Sequence, residues 1–289
     1  MPELPEVEVL ARHLRPGLVG QTIHQVHALR SRVLRPSTAR DLSDLLTGAR
    51  FLSLERRGKF LLFQLTACSG PGKSDQIILL GHLGMTGRIY LRSPELPLPR
   101  HTAVHLDLGA SRMVYEDPRG FGRFTLDLKS LESLGPEPLT NEFTLVRFQA
   151  DLESSRQPIK VKLLDQSLVA GVGNIYASES LFRAGIRPIR AARDLSHAEA
   201  ARLHQSIRDT LQEAIDSGSS PELDFATQGG RDSLFYYGSA SATQGAGRGG
   251  ERLWVYDRAD KPCFRCNAPI RRIVQSARSS YFCPKCQKR

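Results

Sequence analysis

The chain has 289 residues, enough for about two domains with hydrophobic cores of their own. A composition of 40% hydrophobic and 24% charged residues excludes a disordered or fibrous protein, and no apolar run is long enough to span a bilayer or to act as a signal peptide. The formal net charge of +10 favours a polyanionic partner, with nucleic acid the leading candidate. We therefore expect a cytoplasmic protein, associated with the nucleoid if it is bacterial.

The first predicted helix follows an unusual opening, MPELPEVEV. Apolar residues between Val7 and Leu14 recur at helical spacing, and Pro16-Gly17 predicts the end of the helix. The helix does not explain Pro2 and Glu3, which precede it. Methionine before proline is commonly trimmed, and removal of Met1 would leave a secondary amine beside a carboxylate.

The first half of the chain has the pattern of short strands. FLSLERRGKFLLFQL at 51–65 places two apolar-rich arms around Gly58, and QIILLGHL, VHLDL and RMVYEDP continue the rhythm. This pattern predicts a β-sandwich, capped by the N-terminal helix, over residues 1–130. The stretch LESLGPEPLTNEF then interrupts both periodicities and predicts a hinge linker at residues 131–145.

Beyond the linker, residues 146–250 form the second predicted domain, which begins with helices and ends in a low-complexity tract at 238–250. VRFQADLESS, KVKLLDQSL and IYASESLFRAG predict three helices. Ser196 and Glu199 form a capping box at the start of a fourth, longer helix. The predicted buried face of that helix consists of Leu203, Ile207, Leu211 and Ile215.

A glycine-containing turn, VAGVGNIY at 169–176, joins two of these helices. Gly171 and Gly173 allow a tight turn with exposed N–H groups at a helix start, and Asn174 adds a side-chain donor. Although such a turn is more often only a turn, the basic C-terminus makes phosphate binding the better interpretation.

Four cysteines form the pattern Cys263-x-x-Cys266, sixteen residues, Cys283-x-x-Cys286. This spacing predicts one structural zinc per chain, held by four thiolates in a C-terminal zinc finger at 251–289. Two disulfides are a poor alternative in a chain without a secretory signal. From Lys261 onward the segment has eight Lys and Arg residues and no Asp or Glu, which predicts contact with phosphate. We interpret the fifth cysteine, Cys68, as an incidental thiol.

Several motifs in order resemble those of the formamidopyrimidine-DNA glycosylases: MPELPEVE, RRGKFLL, HLGMTG, DPRGFG, IKVKLLDQSLVAGVGNIYASESLFRAGIRP and PCFRC…YFCPKCQ. The resemblance covers nearly the whole chain. It implies an α+β multidomain fold with an N-terminal β-sandwich and capping helix, a helix-two-turn-helix domain and a C-terminal zinc-finger hairpin. It also implies a monomeric base-excision-repair enzyme, a bifunctional glycosylase and AP lyase, that removes oxidised purines from damaged double-stranded DNA, with zinc as its only cofactor.

The resemblance assigns the chemistry to three residues. Pro2 is the nucleophile that forms a Schiff base at the sugar carbon C1′, and Glu3 is the proton shuttle for base loss and for the β,δ-elimination of the strand. Lys59 contacts the phosphate beside the lesion and aids catalysis, although its position after Gly58 also suits a solvated hairpin lysine. The DNA-binding residues implied by the resemblance are His101, Arg119, Lys160, Asn174 and Arg278.

A role without direct function, such as a surface charge or an ion pair, remains an alternative for several of these side chains. Lys160 also suits a surface charge on a helix, and His101 a lone loop histidine. Glu6 is expected to assist Glu3 or anchor the terminus. For Glu8 we prefer a surface ion pair with Arg12, four residues away.

Three residues match those that fill the gap left by a flipped nucleotide: Met85, Arg119 and Phe121. Methionine and phenylalanine are usually core residues, but flanking glycines and the neighbouring arginines favour loop tips here. Gly120 departs from the family pattern, in which a basic residue usually stands at this position. We therefore expect a more flexible wedge loop that lacks one phosphate contact.

A larger departure lies at residues 227–250, where the family has a shorter loop that caps the flipped base. Phe235, Tyr236 and Tyr237 are the side chains large enough to close over a base, and a solvated spacer is the alternative.

Endonuclease VIII shares the architecture, but PELPEV and the separate Met/Arg/Phe set favour the purine enzyme. A non-catalytic zinc-ribbon DNA-binding protein would need neither Pro2-Glu3 nor Lys59.

Overall fold

The computed structural model describes residues 1–66, 76–218 and 253–288. These residues form two compact units. The first contains residues 1–2 and 6–132, and the second contains residues 3–5, 133–218 and 253–288. The expected hinge at 131–145 stays a prediction. Cys68 and the stretch 227–250, with Phe235, Tyr236 and Tyr237, lie outside the described residues.

The first unit is built from eight strands and three helices. In chain order they are α1 (Leu4–Leu18), β1 (Gln25–Ala28), α2 (Ala39–Leu46), β2 (Arg50–Arg57), β3 (Phe60–Thr66), β4 (Gln76–His82), β5 (Arg88–Arg92), β6 (Thr102–Asp107), β7 (Arg112–Glu116), β8 (Arg123–Thr125) and α3 (Lys129–Glu132). The first two residues of α1, Leu4 and Pro5, are grouped with the second unit.

The strands of the first unit form two four-stranded antiparallel sheets, which confirms the predicted sandwich. One sheet has the order β1-β6-β7-β5 and the other β2-β3-β4-β8. β3 alternates buried and half-buried residues, the pattern of a strand with one face in the core. One apolar cluster combines side chains of both sheets with the buried face of α1, including Leu10 and Leu14. The positive φ of Gly58, +57°, supports the tight β2–β3 turn.

One expectation about the helices of this unit is wrong, and one helix was not predicted. α1 does not end at Pro16 but continues to Leu18, because a proline in the last turn removes a single hydrogen bond and the N–H of Val19 still bonds the carbonyl of Arg15 at 3.0 Å. α2 was not predicted, although Thr38 and Asp41 form a capping box at its start. The predicted Glu8–Arg12 pair is confirmed at 2.9 Å.

The second unit contains four helices and a hairpin. They are α4 (Leu145–Glu153), α5 (Ile159–Leu163), α6 (Asn174–Ala184), α7 (His197–Gly218), β9 (Arg271–Gln275) and β10 (Arg278–Phe282). α5 is shorter than the segment KVKLLDQSL predicted. α7 begins at the predicted capping box, in which Ser196 N donates to a Glu199 oxygen at 2.9 Å, and its predicted apolar face is buried. Among the described helices, none has the length and apolarity needed to cross a membrane.

The β9–β10 hairpin turns through Ser276 and Ala277, which separate the paired residues Gln275 and Arg278. Both turn residues have positive φ, 47° and 60°. These angles are typical of a type I′ turn, whose twist matches that of the flanking strands. The hairpin therefore presents Arg278 directly after its turn.

Candidate active site

The carboxylate of Glu3 lies at the first turn of α6. It accepts hydrogen bonds from the N–H groups of Ile175 at 2.9 Å and Tyr176 at 3.3 Å, and Glu3 is only 3% exposed. The next residue, Leu4, donates its N–H to the carbonyl of Gly171 at 3.1 Å. Because the N-terminus of a helix favours negative charge, this end of α6 both orients and stabilises the Glu3 carboxylate.

The two glycines of the turn before α6 explain how Glu3 approaches so closely. A Cβ on Gly173 would lie 2.3 Å from Cδ of Glu3, and one on Gly171 would lie 2.6 Å from Cβ of Leu4. Gly171 also has a φ of +87°, which glycine adopts most readily. The prediction that the N–H groups of this turn bind phosphate is wrong for Ile175 and Tyr176, because Glu3 occupies both.

A glutamine that sequence reasoning missed fixes this turn. The side-chain oxygen of Gln166 accepts from the N–H of Gly171 at 2.9 Å, and its amide nitrogen donates to the carbonyl of Val172 at 2.8 Å. One side chain thus holds both sides of the turn that receives Leu4. Gln166 lies in the motif LLDQSL, which the family resemblance includes, but nothing in the spacing of the motif indicates which backbone groups its side chain binds.

Lys160 is buried in the same unit, with only 1% of its surface exposed, so its interpretation as a surface charge is wrong. Its Nζ donates to Oδ1 of Asn174 and to the carbonyl of Ser279 at 2.8 Å. Burial lowers the pKa of Lys160 to about 8, although Glu3 raises it, and Arg278 adds to the lowering. The charged side chain of Lys160 on α5 therefore links the start of α6 and strand β10 by hydrogen bonds.

Glu179 on α6 is a second residue that sequence reasoning missed. Its carboxylate accepts three backbone N–H groups, from Trp254 at 2.8 Å, Val255 at 3.0 Å and Tyr256 at 2.8 Å. The pKa of Glu179 is raised by burial, and these three hydrogen bonds oppose the rise. Burial also raises the pKa of Tyr256, against the effect of its hydrogen bond with Asn174. Glu179 thus places Tyr256 beside Asn174.

In the first unit, Lys59 lies in the β2–β3 turn, directly after Gly58, and is buried, so the solvated hairpin interpretation is wrong. The imidazole of His82 on β4 has its pKa lowered to about 4, first by burial and then by the charges of Lys59 and Arg123. His82 is therefore neutral near pH 7, and its Nδ1 accepts the N–H of Gly84 at 3.1 Å.

Two loops of the first unit carry the three residues matched to gap filling. Met85 is 49% exposed and Phe121 45% exposed, so neither is a core residue. The guanidinium of Arg119 lies over the Phe121 ring at 4.7 Å from its centroid. Gly120 has a φ of +63°, so a basic residue there would strain the backbone.

His101 lies just before β6 and is half-buried. Its Nδ1 is 3.2 Å from a guanidinium nitrogen of Arg30, and its carbonyl accepts the N–H of Asp117 at 3.1 Å. Pro2 is buried, whereas Met1 is half exposed.

The four predicted zinc ligands come together in the finger. Their Sγ atoms all lie within 4.8 Å of one another, with Cys263 and Cys286 at 3.9 Å and Cys266 and Cys283 at 3.4 Å. A tetrahedral zinc with Zn–S bonds near 2.3 Å requires sulfur atoms about 3.8 Å apart. All four thiols are free, and the donor set therefore fits a closed structural zinc site.

The chain matches three family models in order. Residues 1–124 match the formamidopyrimidine-DNA glycosylase N-terminal domain, residues 134–223 the formamidopyrimidine-DNA glycosylase H2TH domain, and residues 260–289 the zinc finger found in FPG and IleRS. The formamidopyrimidine-DNA glycosylase of Symbiobacterium thermophilum is 42% identical, over 99% of this chain and 89% of the relative. That of Thermus thermophilus is 40% identical, over 99% and 98% respectively.

Solved structures of similar proteins cover the same length. The Lactococcus lactis protein in complex with DNA containing N7-benzyl-Fapy-dG is similar at a TM-score of 0.84 and 32% identity, over 100% of both chains. The Lactococcus lactis formamidopyrimidine-DNA glycosylase bound non-covalently to DNA with an AP site gives 0.81 and 31%, over 99% of this chain and 100% of that chain. Together with the glycine turn that holds Glu3 and the four-cysteine finger, these matches show that the chain belongs to the formamidopyrimidine-DNA glycosylase family.

Proposed function

We propose that this chain removes oxidised purines, 8-oxoguanine and formamidopyrimidines, from duplex DNA through a Schiff base on Pro2, and then cuts the strand by β,δ-elimination. Its family membership makes it a DNA glycosylase of base excision repair with associated AP lyase activity. The observation that carries the residue-level proposal is the carboxylate of Glu3, directly after Pro2, held by two N–H groups of α6. We place the enzyme in the cytoplasm, associated with the nucleoid, because its substrate is chromosomal DNA.

Pro2 acts as the nucleophile once Met1 is removed. An α-amine titrates near pH 8, so roughly 10% of it is unprotonated at pH 7, against well under about 0.1% of an ordinary lysine. The nitrogen lone pair forms a bond to C1′ of the sugar, and the bond from C1′ to the damaged base breaks with its electron pair leaving on the base. The nitrogen gives up its N–H proton to the Glu3 carboxylate. The C1′–O bond to the ring oxygen then breaks while the nitrogen lone pair forms the C=N bond, which gives the positively charged iminium form of the Schiff base.

Glu3 moves the protons in this sequence. The proton that it takes from the attacking amine makes it an acid, which protonates the sugar ring oxygen while the ring opens. As a carboxylate again, it then accepts protons in the two eliminations that break the strand on either side of the lesion. A fixed carboxylate suits both roles, because proton transfer requires a heavy-atom separation of hydrogen-bond length. The two N–H groups of α6 supply that fixation.

Backbone phosphates of DNA are bound by a polar cluster of the second unit: Asn174, Lys160 and Arg278. Support comes from the bond between Lys160 and Asn174, and from the position of Arg278 directly after the hairpin turn. In the first unit, Lys59 and His101 contact phosphate near the lesion, while Met85, Arg119 and Phe121 fill the gap left by the flipped nucleotide. An extruded base leaves such a gap in every enzyme that works on it outside the stack.

The finger holds one structural zinc per chain. Cys263, Cys266, Cys283 and Cys286 fill all four positions of a tetrahedral ion, which leaves none for water or substrate. The zinc supplies folding free energy to a hairpin too small to fold alone, and Arg278 then contacts phosphate from an ordered strand.

Borohydride trapping tests the proposal with the full chain and an oligonucleotide duplex containing 8-oxoguanine or an abasic site. A covalent adduct should form at the N-terminus, mapped by peptide mass analysis. Pro2→Gly, or a form that retains Met1, should lose most of the adduct. Glu3→Gln should block base excision more than cleavage at a preformed abasic site, where no base has to leave.

The alternatives give different results. An adduct that survives blocking of the terminus would move the nucleophile to a lysine, with Lys59 the first to examine. A wild-type protein that binds damaged duplex without adduct or cleavage would be a DNA-binding protein only. Preference for oxidised pyrimidines over oxidised purines would identify an activity like that of endonuclease VIII.

A further inference from the structure

A single buried carboxylate connects the two loops that carry the gap-filling residues. Asp117, which is 0% exposed, follows β7, and its Oδ1 accepts the hydroxyl of Thr86 at 3.1 Å and the N–H of Arg119 at 3.2 Å. Its Oδ2 accepts the N–H of Gly122 at 2.8 Å. Thr86 belongs to the β4–β5 loop, next to Met85, whereas Arg119 and Gly122 belong to the β7–β8 loop. Asp117 is therefore the acceptor that both loops share.

The backbones of the two loops also lie against each other. A Cβ on Gly84 would lie 2.6 Å from the nitrogen of Gly122 and 2.7 Å from the carbonyl carbon of Phe121. A Cβ on Gly122 would lie 1.9 Å from the hydroxyl of Tyr115 and 2.4 Å from the carbonyl oxygen of His82. The close contact between the loops therefore requires glycine at position 84, and the close contact of the β7–β8 loop with Tyr115 and His82 requires glycine at position 122.

The other groups beneath the loops fit a fixed arrangement. Neutral His82 accepts the N–H of Gly84, so the β4–β5 loop is held by this hydrogen bond as well as by the bond from Thr86 to Asp117. The N–H of Asp117 bonds the carbonyl of His101, and a guanidinium nitrogen of Arg30 donates to the carbonyl of Asp117 at 3.2 Å. If the Asp117 carboxylate lost Thr86, Arg119 or Gly122 as a donor, it would carry an uncompensated desolvation penalty. The arrangement therefore resists partial opening.

We propose that Asp117 is a positioning residue that couples Met85 to Arg119 and Phe121, so that filling the gap and contacting the opposite base occur as one event. This inference rests on the gap-filling roles given under the proposed function. Thr86 is the link between the loops: its hydroxyl is the contact by which Asp117 reaches the β4–β5 loop. The consequence is specificity, since a base opposite the lesion that fits Arg119 poorly also hinders insertion of Met85.

The test uses Thr86→Val, which keeps the side-chain shape and removes the hydroxyl, beside Thr86→Ser, which restores it. Single-turnover excision of 8-oxoguanine opposite C and opposite A gives the preference ratio, and 2-aminopurine beside the lesion reports unstacking. Thr86→Val should lower the ratio by about tenfold, the lower end of the effect of one hydrogen bond to a charged group, and should slow the 2-aminopurine signal. Thr86→Ser should restore both.

Two further variants control for stability and for the carboxylate itself. Thr125→Val removes another buried hydroxyl hydrogen bond of the same unit, to Ser37 at 2.9 Å, and should leave the ratio at its wild-type value. Asp117→Asn should act more strongly than Thr86→Val, because one of the three donors would then face an NH₂ group. Combining Thr86→Val with Asp117→Asn should lower the ratio by less than the product of the two single effects, since both weaken the hold of the Asp117 side chain on the loops.

Arg119→Ala separates the possible failures. If Arg119→Ala lowers the ratio but Thr86→Val and Asp117→Asn leave it and the 2-aminopurine signal at wild-type values, Asp117 does not couple the loops and the inference is overturned. If Arg119→Ala also leaves the ratio unchanged, the gap-filling assignment fails and the inference falls with it. A Thr86→Val effect that Thr86→Ser does not rescue would likewise contradict the role of the hydroxyl.

Discussion

The buried ammonium of Lys160 should make phosphate binding by the proposed cluster of Asn174, Lys160 and Arg278 depend on pH. Below its pKa of about 8 the lysine is a charged ammonium that donates hydrogen bonds to Asn174 and the Ser279 carbonyl, and above that pH it loses its charge. A phosphate bound nearby favours the charged form, so binding above pH 8 must be accompanied by uptake of a proton.

We therefore expect the affinity of the wild-type protein for an abasic-site duplex to stay level up to about pH 8 and to weaken above it. Lys160→Gln should bind more weakly at pH 7 and lose this pH dependence. Lys162→Gln is the matched control on the same helix, because Lys162 forms an ion pair with Asp165 at 3.0 Å instead. Equilibrium titrations by fluorescence anisotropy at fixed ionic strength measure both. Equal pH profiles for wild type and Lys160→Gln would contradict the assignment.

Gly173 is a second residue whose substitution should be informative. Its φ of −132° suits alanine, so Gly173→Ala tests only the space beside Glu3. The added Cβ must displace the Glu3 carboxylate, and we expect base excision to fall by about tenfold or more, as when a proton-transfer group is misplaced. Affinity for duplex containing a stable abasic-site analogue should change much less. Excision at the wild-type rate would show that the position of Glu3 at α6 is not needed for chemistry.

A preference for the base opposite the lesion would test the role proposed for Arg119. A guanidinium donates hydrogen bonds to the acceptor edge of cytosine and finds a poorer partner in adenine, so excision of 8-oxoguanine should be faster opposite C than opposite A. Arg119→Ala should reduce this preference more than it reduces cleavage at a preformed abasic site. Arg32→Ala is a useful control, since Arg32 also lies near the Phe121 ring, at 5.5 Å. Equal rates opposite C and A in the wild type would count against the assignment.

Among the elements, the β9–β10 hairpin has an avoidable strain. Ala277 adopts a left-handed conformation that costs a non-glycine residue about 1 kcal/mol or more. Ala277→Gly should therefore stabilise the hairpin by about 1 kcal/mol, seen as slower zinc loss to a chelator and a higher unfolding midpoint. Ala259→Gly, elsewhere in the finger, should instead be neutral or destabilising. A destabilised Ala277→Gly variant would contradict the turn geometry.

The zinc finger as an element should serve binding, not chemistry. Cys263→Ser or Cys283→Ser should abolish stoichiometric zinc in metal analysis and weaken DNA affinity by disordering the hairpin. Arg278→Ala should weaken affinity with zinc retained, and should lower the slope of log affinity against log salt by about one. Normal binding of damaged duplex by a zinc-free variant would exclude this role.

The elements also show what could be predicted from the sequence. Ser196 with Glu199, the Gly58 hairpin and the four cysteines have their partners close in sequence, and their patterns predicted the capped helix, the strands and the finger. Glu179 and Lys160 bind groups more than 70 residues away in the chain, so their burial and partners could not be predicted from spacing. Gln166 binds backbone groups only five and six residues away, but no sequence pattern identifies a glutamine that bonds a turn in this way. The phosphate prediction for the VAGVGNIY turn was wrong for the N–H groups of Ile175 and Tyr176, because the anion that they bind is Glu3, 172 residues before Ile175.

For the whole molecule, the net charge of +10 should make binding to DNA strongly dependent on salt. If six or more phosphates are contacted, affinity for undamaged duplex should fall by about 10³-fold or more between 50 and 200 mM salt. Discrimination between damaged and undamaged duplex should vary far less, because it depends on contacts with the lesion and the opposite base. Titrations at four salt concentrations give both quantities. A shallow slope would mean that few of these charges contact the DNA.

The bond between Glu3 and Ile175 also sets the order in which the enzyme matures during synthesis. Residues that are 172 positions apart can meet only after more than half of the chain has left the ribosome. Until then the amine end, even if already trimmed, has no ordered acid beside it. If Glu3 is the proton shuttle proposed above, a nascent or prematurely terminated chain that ends before α6 should fail to excise damaged bases, and excision should begin only once α6 has formed.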